Sequence, residues 1–211
     1  MRKIKLYYCP GHFSFPPHVI LNEIGLPFEA IHMSIKDGAT RTPDFIRLNP
    51  KGKIPVLDTG SEILTECSAI LCYLAFSYPD RKLIPSSPMG IARTIEWTNW
   101  MSGIIASSHA QSLHPYRFTD EGHAHDGIRK KGSESLQLAY SQINDKLEGC
   151  EWAVADGYSI VDPTLLIFFK WGHLTNMDMS QFKNWETHTK RMEQRPAVQK
   201  TLASEGISVW K

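Results

Sequence analysis

Residues 49–57 (NPKGKIPVL) carry the strongest local indication of a binding site in the sequence. A proline that opens an antiparallel hairpin is a candidate for a cis peptide bond. A cis bond after Ile54 would turn the backbone N–H and C=O groups of this residue outward, where an extended peptide could pair with them as an added strand. The alternative is an ordinary proline in an edge turn, and this segment alone favours neither interpretation.

Residues 65–70 (TECSAI) form a second candidate site, because a predicted hairpin leads here into the N-terminus of a predicted helix. The free N–H groups and the positive dipole end of a helix suit a carboxylate ligand. Glu66 could hold an ammonium group at the same time, and an amino-acid head group needs both interactions. The alternative is a plain capped helix with an acidic first turn, which is favoured when the segment is considered alone.

The elements that precede these segments form a βαβ unit. Residues 4–9 (IKLYYC) alternate between apolar and polar side chains, which is typical of a strand. Ser14 lies at the expected N-cap of a helix, with Pro16 and Pro17 in the first turn, where a missing N–H costs little. Residues 27–34 predict a second strand, which pairs in parallel with the first.

The rest of the chain divides into a second half of this α/β domain and a helical part. A short helix near Thr42, a hairpin over residues 54–64 and a helix from Thr65 give the thioredoxin-like order β-α-β-α-β-β-α. After a proline-rich stretch the apolar residues have helical spacing. We therefore predict a thioredoxin-like domain over residues 1–78, a linker over 79–90 and an all-α domain over 91–211.

Composition limits the kinds of partner and site. The 211 residues include 23 basic and 22 acidic ones, so charge gives no reason to expect nucleic acid or an anionic membrane as partner. No apolar run approaches the about 20 residues that span a bilayer. The four cysteines form no CxxC pair, so no metal site is predicted. No secretory signal precedes the first strand, and a cytoplasmic location is expected.

The sequence resembles the cytosolic glutathione transferases, and most closely their bacterial beta class. The Ser159-x-x-Asp162 pattern falls where this family has a helix-capping box. The resemblance covers nearly the whole chain and implies glutathione as co-substrate and a homodimer, with the N-terminal domain of one subunit against the helical domain of the other. The matching segments are residues 5–29 (KLYYCPGHFSFPPHVILNEIGLPFE), 49–57 (NPKGKIPVL), 64–75 (LTECSAILCYLA), 95–100 (IEWTNW) and 191–207 (RMEQRPAVQKTLASEGI).

The resemblance also implies roles for individual residues. Ile54, before a cis-Pro55, would offer its backbone to the cysteinyl unit of glutathione, and Lys53 would contact the glutathione backbone or a carboxylate. The γ-glutamyl group would be held by Glu66, Cys67 and Ser68. The pocket for the electrophile would be lined by aromatic side chains, namely Phe13, Trp100, Tyr116 and Trp171.

The sequence departs from the beta-class pattern at positions that matter for chemistry. Phe13 stands where these enzymes have a cysteine, although the following serine is present as Ser14. Ala106 and Ser107 stand where many relatives have a His-Lys pair. Cys67 replaces the usual serine or glycine.

Several residues are candidates for activating the thiol of glutathione, which reacts as a thiolate and therefore needs a hydrogen-bond donor and positive potential. A hydroxyl at a helix N-terminus supplies both, so Ser14 is the first candidate, with a structural N-cap as the equal alternative. Tyr8 is the second candidate, but core packing is favoured for it. Cys9 could form a mixed disulfide with glutathione, although a buried structural thiol is favoured. His109 is the candidate from the helical domain.

The predicted function is conjugation of the glutathione thiolate to small hydrophobic electrophiles, with detoxification as the biological context. One alternative is a glutathione-dependent redox enzyme that uses Cys9 as its thiol. The other is a non-catalytic relative that binds glutathione or has a regulatory role, which the residue at position 13 favours and the retained Ile54-Pro55 and Glu66 oppose.

Overall fold

The computed structural model describes residues 3–155 and 157–210, and its N-terminal part is built on a mixed sheet. The described strands pair in the order β2-β1-β3-β4, with β1 parallel to β2 and antiparallel to β3, and with β3 antiparallel to β4. Leu6, Val56 and Leu57 lie at the buried centre of this sheet. The strands are β1 (Ile4–Tyr8), β2 (Phe28–His32), β3 (Val56–Asp58) and β4 (Ile63–Thr65).

Three helices complete this part of the chain in the predicted order. They are α1 (Phe15–Ile24), α2 (Pro43–Leu48) and α3 (Cys67–Ser77). Thr42 caps α2, because its hydroxyl accepts a hydrogen bond from the backbone N–H of Phe45 at 3.3 Å. The α1 helix crosses between β1 and β2 and packs against α3. The predicted thioredoxin-like topology is therefore confirmed.

The later part of the chain is mostly helical, as predicted. A π-helical segment, Met101–Ile105, joins α4 to α5 without a break, so that Trp100 and Ala106 lie at its two ends. Single π-helical turns within α-helices are frequent at functional sites. The helices are α4 (Pro88–Trp100), α5 (Ala106–Leu113), α6 (His125–Lys146), α7 (Asp162–Leu174), α8 (Lys183–Glu193) and α9 (Pro196–Glu205).

The two residues of the predicted capping box bond to each other at the start of α7, whose N-cap is Val161. The side chain of Asp162 accepts a hydrogen bond from the Ser159 backbone N–H at 2.7 Å, while the Ser159 hydroxyl accepts one from Val161 N–H at 3.2 Å. Asp162 also accepts from Ala153 N–H at 2.9 Å and pairs with His188 Nε2 at 2.8 Å. The buried carboxylate thus satisfies several donors and connects the start of α7 with α8.

The last helix belongs with the first part of the chain, whereas the sequence prediction grouped it with the helical domain. Contacts divide the chain into one unit of Met1–Ile84 with Glu193–Ser208 and a second of Pro85–Met192 with Val209–Lys211. The α9 helix packs on α1, where Asn22 donates to the Thr201 hydroxyl at 2.9 Å. Arg195, at the N-cap position of α9, pairs with Glu23 at 2.6 Å. An amphipathic pattern predicts a helix but not the core that it covers.

Within residues 3–155 and 157–210, no helix combines the length and apolar character needed to cross a membrane. The cytoplasmic location stays a prediction.

Candidate functional site

The peptide bond between Ile54 and Pro55 is cis, as predicted. Ile54 lies two residues before the start of β3 and is partly exposed. No described residue makes a hydrogen bond to its backbone N–H or C=O group. These groups can therefore receive an extended peptide.

A buried asparagine holds the loop that leads to Ile54. The side-chain amide of Asn49 donates to the Lys53 carbonyl at 2.6 Å and accepts from the Lys51 N–H at 3.2 Å. Gly52 has φ of +61°, and a Cβ at this position would lie only 2.7 Å from the guanidinium of Arg41. Sequence reasoning did not single out Asn49, although an asparagine that precedes a Pro-x-Gly turn is a local signal for such a loop.

Glu66 lies at the N-terminus of α3 and has a positive φ of 73°. This backbone conformation is costly for a residue other than glycine, and such conformations cluster at functional sites. Its carboxylate is solvent-accessible and forms an ion pair with the Lys51 ammonium group, which also donates to the Thr65 hydroxyl at 2.8 Å. The carboxylate that was predicted to hold an ammonium group therefore has a cationic neighbour, Lys51, that sequence reasoning missed.

Cys67 and Ser68 follow Glu66 in the first turn of α3. The Cys67 side chain is buried, and burial, the neighbouring Glu66 and Cys72 together raise the pKa of its thiol well above the ordinary value. A thiol in this state is a weak hydrogen-bond donor and not a thiolate.

Ser14 lies at the N-cap of α1, as predicted, but its side chain does not cap the helix. The hydroxyl is fully buried, donates to the Cys9 carbonyl at 3.2 Å and accepts from the Cys9 N–H at 3.1 Å. The two hydrogen bonds from Ser14 to the Cys9 backbone thus hold the two ends of the loop between β1 and α1 together. The predicted roles were thiol activation and N-capping, and the hydrogen bonds show a third one, which is to tie this loop.

A carboxylate from α9 also binds to the loop between β1 and α1. Glu205 has a buried side chain that accepts from the Gly11 N–H at 2.9 Å and pairs with His18 Nδ1 at 2.8 Å. Since Gly11 and Glu205 are 194 positions apart, the sequence offers no local signal for this contact.

The charge of Glu205 affects the other two candidates for thiol chemistry. Burial, then Glu205 and then Cys9 raise the pKa of Tyr8 above its ordinary value. Burial also raises the pKa of Cys9, a hydrogen bond from the Ile35 backbone N–H lowers it, and Glu205 raises it, with a net upward shift. Both groups are therefore protonated at neutral pH.

His109 is buried among aromatic side chains of the helical unit. Its Nε2 lies 2.6 Å from the Tyr140 hydroxyl, which itself donates to the Phe168 carbonyl at 2.6 Å. The imidazole must therefore carry its proton on Nε2 and donate it to Tyr140. Burial lowers the pKa of His109 to about 3, so the side chain is neutral in the folded protein.

The four predicted electrophile-pocket residues occupy different surroundings. Phe13 is half-buried in the first unit, in the loop before α1. Within the second unit, Trp100 lines a cavity of about 420 Å³ between α4 and α6. Trp171 packs edge-on against His109 at 5.2 Å, and Tyr116 is largely exposed. Their assignment to one pocket stays a prediction.

Comparison with known proteins establishes the family. The family model described as "Glutathione S-transferase, N-terminal domain" matches residues 2–76. The chain is 30% identical over 208 residues to glutathione S-transferase GstA of Escherichia coli O157:H7, with 97% of this chain and 100% of that protein covered. The chain therefore belongs to the glutathione S-transferase family, as its sequence predicted.

Solved structures agree with this assignment. A glutathione S-transferase from a sphingomonad, solved in complex with glutathione, is 28% identical with a TM-score of 0.84, covering 97% of this chain and 100% of that one. A bacterial beta-class glutathione S-transferase from Sphingomonas chungbukensis is also 28% identical, with a TM-score of 0.85 and the same coverage. These similarities confirm the predicted architecture and the likeness to beta-class proteins.

The buried His109 predicts a specific dependence of stability on pH. Its pKa is near 3 when folded and about 6.5 when unfolded, so the unfolded chain binds the extra proton between these values. The stability that comes from keeping His109 neutral is present above about pH 6.5 and is lost as the pH falls towards 3. In urea unfolding between about pH 6 and pH 4, His109→Gln should reduce the pH slope of the unfolding free energy by about 1 kcal/mol per pH unit.

The matched control is His123→Gln, which replaces an exposed imidazole and should leave the slope as in the wild type. Equal slopes in the His109→Gln variant and the wild type would show that His109 is not buried as a neutral group.

Proposed function

We propose that this protein binds reduced glutathione and conjugates its thiolate to small hydrophobic electrophiles. The observation that carries the proposal is the unpaired backbone of Ile54 beside Pro55, in the same unit as the carboxylate of Glu66. An extended peptide with an amino-acid head group is the ligand that such a pair of features fits. The relatives named above support the choice of glutathione.

In this proposal each part of glutathione has its own protein partner. The cysteinyl unit pairs with the Ile54 backbone as an added strand. Glu66 takes the α-ammonium group, and the start of α3, with Cys67 and Ser68, receives the γ-glutamyl end. The exposed Lys53 side chain is the proposed partner of the glycyl carboxylate.

Thiol activation is the part of the proposal that the buried loop constrains most. Cys9 is held as a neutral thiol, and His109 donates its Nε2 proton to Tyr140, while the protonated Tyr8 hydroxyl stays the second candidate donor. Ser14 remains the proposed donor to the thiolate, and it must release the Cys9 carbonyl to donate. The loss of that hydrogen bond is offset by a stronger one, because a hydrogen bond to an ionised acceptor is worth more than one to a neutral carbonyl.

Conjugation of glutathione to chlorodinitrobenzene tests the proposed activity. We expect a rate above the uncatalysed one, and Glu66→Gln should raise the KM for glutathione about tenfold, because the ammonium group loses its charged partner, with a smaller effect on kcat. Glu62→Gln, which alters an exposed carboxylate of the hairpin turn, is the matched control and should behave as wild type. A wild-type rate equal to the uncatalysed rate would contradict the proposal.

The pH dependence of kcat/KM tests the role of Ser14. In Ser14→Ala the thiolate loses a hydrogen-bond donor. The apparent pKa of the glutathione thiol, read from the pH profile, should therefore rise towards that of a free thiol, which is about 8.5. Ser61→Ala, in an exposed turn, serves as control. A lower melting temperature with an unchanged profile would mean that Ser14 only ties the loop.

A homodimer is proposed as the assembly state, supported by apolar side chains on the surface of the first unit. Tyr73 and Phe76 lie one turn apart on α3 and are 41% and 54% exposed, and Ile63 on the edge strand β4 is 40% exposed. A second copy would cover such a patch.

Light scattering should give about twice the chain mass of 24.0 kDa for the wild type and a smaller mass for Phe76→Glu. The control is Leu174→Glu, which adds the same charge at an exposed position at the end of α7. A wild-type mass equal to that of one chain would rule out the dimer.

A further inference from the structure

Two buried charged side chains join α1 to α9 beside the loop between β1 and α1. The side chains of His18 and Glu205 are 3% and 0% exposed, and His18 Nδ1 lies 2.8 Å from Glu205 Oε1. The other carboxylate oxygen, Oε2, accepts a hydrogen bond from the Gly11 N–H at 2.9 Å. A buried carboxylate keeps its charge when hydrogen-bond donors replace the lost water, and each oxygen of Glu205 has such a donor.

The hydrogen bonds around His18 indicate that its side chain is an imidazolium. Nδ1 faces a carboxylate and therefore carries a proton. Nε2 lies 3.5 Å from the Ser204 hydroxyl, whose own proton goes to the nearer Thr201 carbonyl at 3.1 Å. Since the hydroxyl can then only accept from Nε2, this nitrogen carries a proton as well. His18 and Glu205 thus form a buried ion pair without net charge.

The ion pair lies next to the titratable groups at the end of β1. The Tyr8 ring packs edge-on against the His18 ring, with 5.1 Å between the ring centroids, and His32 of β2 lies 5.8 Å from the same tyrosine ring. Behind burial as the main cause, the charge of Glu205 contributes to the raised pKa of both Tyr8 and Cys9. A charge on Glu205 therefore acts on any anion that forms in this region.

We propose that Glu205 and His18 are positioning residues for thiol activation, because together they hold the loop that carries Ser14 and add no net charge to it. Ser14 bonds to both backbone groups of Cys9, so a thiolate at Ser14 would lie in the same field as the Cys9 thiol. Glu205 alone would oppose this thiolate, and the imidazolium of His18 cancels the opposition. The inference rests on the proposed function, in which neither residue contacts glutathione.

The pH dependence of kcat/KM in two single variants tests this charge balance. In Glu205→Gln the amide oxygen can still accept the Gly11 N–H but the negative charge is lost, so the apparent pKa of the bound thiol should fall by about half a pH unit. In His18→Gln the carboxylate loses its cation, and the same pKa should rise by a similar amount. Profiles that shift in the same direction, or not at all, would mean that the two residues only support the loop.

The matched control is Glu23→Gln. Glu23 pairs with Arg195 and so also joins α1 to α9, but near the other end of α1, and its loss should leave the profile as in the wild type. The double variant of Glu205→Gln with His18→Gln removes both charges and should return the profile to that of the wild type. Because it leaves no buried charge unpaired, it tests the inference even where a single variant fails to fold in circular dichroism melting.

Alkylation of Cys9 by iodoacetamide separates this inference from the proposed function, because it needs no glutathione. Peptide mass spectrometry distinguishes Cys9 from the other three cysteines. Relative to the wild type, Cys9 should react at lower pH in Glu205→Gln and at higher pH in His18→Gln. If the wild type has no glutathione turnover but Cys9 follows this order, the proposed function is wrong and the charge balance stands. If Cys9 reacts with the same pH dependence in all variants, the inference is wrong.

Discussion

The side chain of Asn49 is the constraint on which the proposed site most depends. It is 1% exposed, and its amide makes hydrogen bonds to two backbone groups of the loop, at Lys51 and Lys53. A buried amide must satisfy its polar atoms inside the protein, and this one does so with the loop that it shapes. The loop backbone at Lys51 and Lys53, just before Ile54, is held by that arrangement.

A second buried polar group organises the loop between β1 and α1. The carboxylate of Glu205 accepts the Gly11 N–H and pairs with His18, so the last helix is attached to the loop that contains Cys9 and Ser14. Removing either partner would leave a buried charge or donor without compensation, which is costly. The loop between β1 and α1 therefore depends on a residue of the last helix.

The same buried groups bear on the alternative in which Cys9 is the reactive thiol. Cys9 is adjacent to the loop, but its burial and the charge of Glu205 favour the neutral thiol over the reactive thiolate. Phe13 carries no titratable group at the position where beta-class relatives have a cysteine. The geometry thus favours a bound glutathione as the source of the thiolate rather than a protein thiol.

The sequence by itself determined the features that depend on a few neighbouring residues. The order of strands and helices, the pairing of Ser159 with Asp162 and the place of Glu66 at the start of α3 all follow from local patterns. Local backbone geometry and hydrogen bonding decide these features, and residue types report them directly. The family resemblance was carried by the same segments.

Only the tertiary structure decided which distant groups meet. The pairing of Lys51 with Glu66, the attachment of α9 to α1 through Thr201 and the burial of His109 against Tyr140 join residues that are 15, 179 and 31 positions apart. A charged or amphipathic residue has many possible partners in the sequence, and packing of the whole unit selects one of them. For this reason the segments of the proposed binding residues could be picked out in the sequence, whereas the hydrogen bonds by which Ser14 ties its own loop could not.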